Sequence, residues 1–89
     1  MIICAAIKDT RTGVVFCGIR HGDIYCTMRD AKYYTSADKT IEGFVDNRNN
    51  FHNRHEAFIH ALQFGQLPST VIQYKQAQGE TELYSEDLY

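Results

Sequence analysis

Arginine, asparagine and aromatic side chains are concentrated in residues 43–66, and these are the residue types that hold a planar, anionic small molecule. Guanidinium groups form paired hydrogen bonds with phosphate oxygens, and aromatic rings stack on nucleobases. The members of this group are Phe44, Asn47, Arg48, Asn50, Phe51 and Arg54. Because no catalytic motif accompanies them, the pattern favours binding over catalysis.

Arg54 is the most informative member of the group. Asn53 is a good N-cap and Glu56 follows three residues later, so we expect a helix that begins at Arg54. The amide groups and the dipole at a helix start favour negative charge, so a cation there is misplaced unless an anion compensates it. With Arg48 in the preceding turn, Arg54 could form a phosphate cradle.

Arg20, His21 and the aromatic residues have two interpretations each. Arg20 and His21 follow an apolar strand and precede Gly22, so they are either an anion-binding pair or a solvated strand end. Phe44, Phe51 and Tyr84 either stack on a base or fill the core. Since Phe44 is nearest to the polar turn, we expect it to be the stacking ring.

Histidines in the same segment raise the question of a metal site. His52, Glu56 and His60 recur every four residues. Capping by Asn53 would place His52 outside the helix, and the set matches no recognised zinc spacing. We therefore expect neither a metal nor another cofactor.

The tail, residues 83–89, combines Leu83, Leu88 and Tyr89 with an acidic centre at residues 85–87. A serine beside acids but without a positioned base is not a nucleophile. Ser85 and Asp87 are better suited to accept hydrogen bonds, so we expect a protein that is not an enzyme.

Composition limits the classes of partner. The 89 residues form one domain, 1–89, with 44% hydrophobic residues and a net charge of −2. This charge does not favour wrapping of a long nucleic acid, and no segment approaches the roughly 20 apolar residues of a membrane helix. We expect a cytosolic protein whose Cys4, Cys17 and Cys26 are reduced.

The hydrophobic pattern predicts an α+β fold with a small antiparallel sheet and two helices. Residues 1–8 and 14–20 are predicted to form a hairpin centred on Arg11, in which Ala5 faces Cys17 and Cys4 lies on the face opposite Cys17. Both faces of this hairpin are apolar, so both need to be packed against other parts of the protein. The helices of the chain can cover one face, and a second subunit is the simplest way to cover the other.

Further elements follow along the chain. Residues 24–34 favour a helix capped by Asp23 over a strand, residues 40–46 a strand, and residues 54–64 a helix ended by Gly65. In the last helix Ala57, Phe58, Ala61 and Leu62 form the expected buried stripe. Residues 71–74 are predicted to be a short strand or extended strap, and residues 76–80 a polar turn.

A resemblance joins these residues. The chain resembles the first-described Thoeris anti-defence family of small phage proteins, which sequester cyclic ADP-ribose isomers made by bacterial TIR-domain immune proteins. The motifs that carry the resemblance are Ala5-Ala6-Ile7, Gly18-Ile19-Arg20-His21, Glu42-Gly43-Phe44-Val45-Asp46, Asn50-Phe51, Asn53-Arg54-His55-Glu56-Ala57, Gly65-Gln66 and Leu83-Tyr84-Ser85-Glu86-Asp87-Leu88.

The resemblance implies a messenger sponge in the cytoplasm of the infected host: a homo-oligomer, assembled through dimers into a hexamer, that binds the nucleotide without cleaving it. Its implied ligand-binding residues are Arg20, His21, Phe44, Arg54, Ser85 and Asp87. Residues 25–39 match nothing in the pattern. Two alternatives remain open, namely a protein-binding module that blocks a host factor and an enzyme that degrades the nucleotide.

Overall fold

The computed structural model describes residues 1–88, which contain a four-stranded antiparallel sheet and three α-helices. The strands are β1 (Ile2–Asp9), β2 (Val15–Gly18), β3 (Thr40–Asp46) and β4 (Phe51–Asn53), and the helices are α1 (His21–Asp30), α2 (Arg54–Gln63) and α3 (Ser69–Gln78). The strand order across the sheet is β2-β1-β3-β4. The α+β prediction is confirmed with one helix more than expected, and Tyr89 of the predicted tail lies outside the described residues.

The predicted β1–β2 hairpin is confirmed, but its register is shifted by one residue. Ala5 pairs with Gly18 instead of Cys17. The cause is the turn: Asp9 pairs with Val14 across it, and the Asp9 carboxylate accepts a hydrogen bond from the Arg11 amide at 2.9 Å. Gly13, with φ of +75°, closes the turn in a conformation that glycine adopts readily.

The register shift brings two cysteines together. Ala6 pairs with Cys17, so Cys4 and Cys17 lie on the same face of the sheet, and their predicted placement on opposite faces is wrong. Burial and the neighbouring Cys17 raise the pKa of the Cys4 thiol to about 11. Cys4 is therefore a protonated thiol at neutral pH, and both cysteines are free.

Helix α1 begins at His21, three residues before the predicted start, and ends at Asp30. Arg20 occupies the N-cap position, while Asp23 lies in the first turn instead of capping it. A carboxylate in the first turn is still favourable because it faces the positive end of the helix dipole. Ile24 and Met28 are buried, which confirms helical spacing over the strand alternative.

The predictions for β3 and α2 are the most accurate. The Asn53 side chain accepts a hydrogen bond from the Glu56 amide at 2.8 Å, and Glu56 accepts one from the Asn53 amide at 3.0 Å. This reciprocal capping box fixes the start of α2 at Arg54. Three of the four predicted buried residues are buried, whereas Leu62 is 39% exposed.

Helix α3 replaces the predicted short strand and most of the predicted polar turn. It starts after Pro68, whose fixed φ suits a helix entrance, and ends at Gly79, whose φ is +68°. Val71 and Ile72 suggested a strand because they are β-branched, yet both pack against the core from this helix. Tertiary contacts thus outweigh local propensity here.

The helices cover one face of the sheet. The core on that side consists of Ile2, Ala5, Ile7, Ile24, Met28, Phe44, Ala57, Phe58, Ala61, Leu67 and Leu83. On the other face Val15, Cys17 and Ile41 remain exposed, and Lys8 places its ammonium 5.7 Å from the centre of the Phe51 ring. Among the described residues, no helix is long and apolar enough to cross a membrane.

Candidate functional site

Arg54 is held by groups of the chain itself. Its Nη1 donates a hydrogen bond to the carbonyl oxygen of Leu83 at 2.8 Å, and its Nη2 lies 3.2 Å from the Glu42 carboxylate. Its guanidinium also stacks 4.8 Å from the centre of the Tyr84 ring. Glu42 is therefore the anion that compensates the positive charge of Arg54 at the start of α2. Through these contacts Arg54 connects the tail to strand β3.

Lys75, which the sequence did not indicate as a site residue, contacts both Asp87 and Tyr84. The Lys75 ammonium lies 2.8 Å from the Asp87 carboxylate and 3.5 Å from that of Glu80. It is 1% exposed and lies 4.9 Å from the Tyr84 ring centre. No sequence signal identified it, because its partners come from the tail and its helix was not predicted.

The predicted residues His21 and Phe44 are neighbours inside the protein. Their rings meet edge to face at 5.1 Å, and His21 Nε2 donates to the Gly43 carbonyl oxygen at 2.8 Å. Burial lowers the pKa of His21, partly opposed by this hydrogen bond. His21 is thus a neutral hydrogen-bond donor at neutral pH, and Phe44 is fully buried, so its ring faces the core in this arrangement.

The remaining predicted residues flank this region. Ser85 is 6% exposed and begins a short 3₁₀ turn, Ser85–Asp87, which follows the buried Leu83. Arg20 is exposed at the N-cap of α1. Arg48 does not join Arg54, since it lines a separate cavity with Asp46 and His52. The predicted two-arginine cradle is therefore not formed.

An aromatic cavity of about 290 Å³ lies beside α1, in the region for which the sequence indicated no role. Its lining includes three tyrosines, one arginine and one threonine that bear on ligand binding: Tyr25, Tyr33, Tyr34, Arg29 and Thr35. The Thr35 hydroxyl is buried and, within residues 1–88, has no hydrogen-bond partner. A buried hydroxyl left unpaired costs about 1–3 kcal/mol, so a ligand that bonds to it gains that amount.

The aromatic cavity is connected to Arg54 by a chain of hydrogen bonds. Tyr25 lines the cavity and donates to Glu42 at 2.9 Å, and Glu42 pairs with Arg54. Burial opposes ionisation of Glu42, but the bonds from Tyr25 and Arg54 outweigh it and lower the pKa of the carboxyl group. Glu42 is therefore charged at neutral pH and links the two groups.

A second cavity of about 330 Å³ lies between α3 and the tail. It is lined by Tyr74, Lys75, Glu80, Tyr84, Glu86 and Asp87. Three carboxylates surround one ammonium there, so this cavity suits hydroxyl and amino donors better than phosphate.

The family model for the phage T4 y16D protein matches residues 1–89, the whole of the chain. No curated protein matches the chain, and no solved structure does.

Proposed function

We propose that this chain, which belongs to the phage T4 y16D protein family and is therefore a phage protein, binds a cyclic nucleotide immune messenger and sequesters it without cleaving it. The messenger class is a cyclic ADP-ribose isomer, and the consequence is that Thoeris-type TIR signalling is blocked in the cytoplasm of the infected bacterium. The resemblance of the short motifs supports the messenger class, and the aromatic cavity supports a small-molecule ligand.

The observation that carries the proposal is the unpartnered Thr35 hydroxyl in a tyrosine-lined cavity. Tyrosine faces offer stacking to an adenine, and stacking on an aromatic side chain contributes about 1–3 kcal/mol per base. Tyr34, which is 77% exposed at the cavity, has a free ring to contribute.

Arg54 supplies the phosphate contact in this proposal. Glu42, its present partner, is 37% exposed, so a phosphate approaching from the cavity side can share or replace that carboxylate. A guanidinium binds a phosphate through the same paired donors that it offers a carboxylate. Sequestration needs roughly nanomolar affinity, about 12 kcal/mol, which is more than one stacked ring and one ion pair supply.

A second copy of the chain is proposed as the source of the additional affinity. The exposed sheet face carries Lys8 as its charged residue, surrounded by Val15, Cys17, Ile41 and Phe51. Such a face is suited to an apolar partner surface, which a second copy of the chain supplies, because burial of apolar area drives association. Dimers formed through this face would also be the units of the expected hexamer.

Retention of intact messenger is the direct test of the proposed function. The purified protein is mixed with a cyclic ADP-ribose isomer, free ligand is removed, and the protein is heat-denatured. We expect release of the intact messenger in a fixed ratio to protein. Recovery of breakdown products alone would contradict a sponge and favour the enzyme, and recovery of nothing would favour the protein-binding module.

The same assay locates the site. Arg54→Ala is expected to weaken binding about 10- to 100-fold, the equivalent of one charge-assisted contact. Tyr34→Leu should weaken it similarly, whereas Tyr74→Leu, a 62% exposed tyrosine at the second cavity, serves as the matched control. Loss of binding in Tyr74→Leu alone would move the site to the second cavity.

Self-association is measured by analytical ultracentrifugation. We expect the protein to be an oligomer at micromolar concentration and Ile41→Lys, on the exposed sheet face, to convert it to monomer. Ile59→Lys is the control, because Ile59 is 42% exposed on α2 and Ile41 is 40% exposed. A monomeric wild-type protein, or equal disruption by both variants, would contradict association through the sheet.

A further inference from the structure

Three side chains with metal-binding chemistry converge at the end of the sheet where β3 turns into β4. Asp46 is the last residue of β3, His52 is the middle residue of β4, and His60 projects from α2. One ligand atom of each lies within 4.8 Å of the other two. The pairing of Phe44 with His52 explains the convergence, because it places His52 on the helix-covered face of the sheet.

Asp46 is rigidly positioned. Its carboxylate accepts hydrogen bonds from the amides of Arg48 and Asn50 at 2.8 and 2.9 Å, and from the Asn50 side chain at 3.3 Å. The residue is only 3% exposed. Hydrogen bonds of this kind orient a carboxylate toward a metal and are typical of the groups that surround metal ligands in proteins.

The two histidine rings lie close to each other and to neighbouring groups. The His52 and His60 rings lie 4.8 Å apart, and the His60 ring lies 4.6 Å from that of Phe64. His52 Nε2 lies 2.9 Å from an Asp46 carboxylate oxygen, and His60 Nε2 lies 2.8 Å from the Met1 nitrogen. Each histidine thus brings one ring nitrogen within 4.8 Å of the Asp46 carboxylate and of the other histidine.

We propose that Asp46, His52 and His60 form a binding site for a divalent transition-metal ion such as Zn²⁺. Two imidazoles and one carboxylate are a common ligand set for zinc and for other first-row metals. Zinc with bonds of about 2.0–2.1 Å requires ligand atoms about 3.3 Å apart in a tetrahedron, so the three atoms need to approach by roughly 1.5 Å at most. Rotation of the His60 side chain, on the surface of α2, supplies that movement, while the His52 Nε2 proton and the contact with the Met1 nitrogen give way to the metal.

The remaining coordination positions open into a cavity. Its volume is about 540 Å³, and Arg48, Asn50 and Phe64 also line it. Three protein ligands leave at least one position for water or an exogenous ligand, the arrangement of catalytic and ligand-binding metal sites rather than structural ones. An anion bound to the metal would find the Arg48 guanidinium at the same cavity.

The spacing in the sequence groups a different trio. His52, Glu56 and His60 recur every four residues, and that pattern predicts no metal site. In the folded chain Glu56 is engaged in the α2 capping box, and Asp46 takes its place beside the two histidines. The connection is tertiary, so the spacing of the histidines could not show it.

The experiment uses untagged, chelator-treated full chain and titrates it with ZnCl₂ by calorimetry. We expect one Zn²⁺ per chain, a rise in the melting temperature when Zn²⁺ is added, and a visible absorption band when Co²⁺ is added instead. His60→Gln and His52→Ala should each weaken binding at least 100-fold. His55→Gln is the matched control, because His55 lies on the same helix and contacts the Thr81 carbonyl oxygen.

Three outcomes would overturn the proposal. They are no Zn²⁺ or Co²⁺ binding by the folded wild-type chain, unchanged binding in His60→Gln, and loss of binding in His55→Gln to the same extent as in His60→Gln. Since His60 is partly exposed on a helix surface, His60→Gln is expected to fold, and circular dichroism of each variant verifies this. A folded His60→Gln variant therefore decides the matter even if His52→Ala is unstable.

Discussion

Replacing Lys75 with alanine is expected to lower the free energy of unfolding by about 3–5 kcal/mol, the cost of removing one partner from a buried ion pair. Lys75 is 1% exposed, and its ammonium contacts the Asp87 carboxylate at 2.8 Å and donates to the Glu82 carbonyl oxygen at 2.9 Å. Without it, Asp87 loses its cation and the carbonyl its donor. Since the free energy of unfolding of a native protein is only about 5–15 kcal/mol in total, the variant should be close to unfolding at 37 °C.

Urea denaturation of Lys75→Ala and of Lys39→Ala measures this effect. Lys39 is the control, because its ion pair with Asp38 is exposed and 3.9 Å long, and such pairs contribute about 0–1 kcal/mol. Hydrogen exchange should also show faster exchange of the Leu83 amide, which donates to the Arg54 carbonyl oxygen at 2.9 Å. Equal stability losses in the two lysine variants would refute a structural role for the buried ammonium.

Replacing Gly43 with alanine is expected to separate β4 from β3 and to destabilise the protein by about 1–3 kcal/mol, the usual cost of overpacking. A Cβ on Gly43 would overlap the His52 carbonyl oxygen and lie 2.7 Å from the Phe51 ring. Backbone atoms cannot move aside as a flexible side chain does. Because β4 carries His52, the variant should also lose Zn²⁺ binding, which calorimetry detects.

Gly22→Ala is the control for this substitution and should not destabilise the protein. A Cβ on Gly22 would meet nothing within 4 Å, and Gly22 lies in the first turn of α1. Alanine is favoured over glycine by up to about 1 kcal/mol in a helix interior, so a small gain in stability is expected here. If Gly43→Ala proved as stable as wild-type protein, the close approach of β4 to Gly43 would be wrong.

Elements with strong local signals were predicted accurately. The boundaries of β3 match, and α2 begins at the predicted residue, because its capping box is made by residues three positions apart. The hairpin was predicted, but its register was not. The register depends on whether three or four residues separate the last paired residues of the two strands. That number is set by backbone contacts in the turn, such as the Asp9–Arg11 hydrogen bond, which the alternation of apolar residues does not encode.

Errors occurred where distant contacts decide the structure. Helix α3 contains Val71 and Ile72, which favour strands locally, yet burial of both against the core and the Lys75–Asp87 pair favour the helix. The assignment of ligand-binding residues stays a prediction. Chemical type selects Arg54 and His21 as candidates, and the fold adds that each also has a partner from β3 within the chain.

Local patterns are sufficient to predict the α+β class, the capped start of α2, the strand β3 and the apolar character of both faces of the first hairpin. Each of these depends on neighbouring residues or on simple periodicity. Three groupings are visible only in the folded chain: Asp46 with His52 and His60, Glu42 with Arg54, and the cavity lined by Tyr25, Tyr34 and Thr35. These groupings depend on strand register and helix placement, which are set by packing of the whole chain at once.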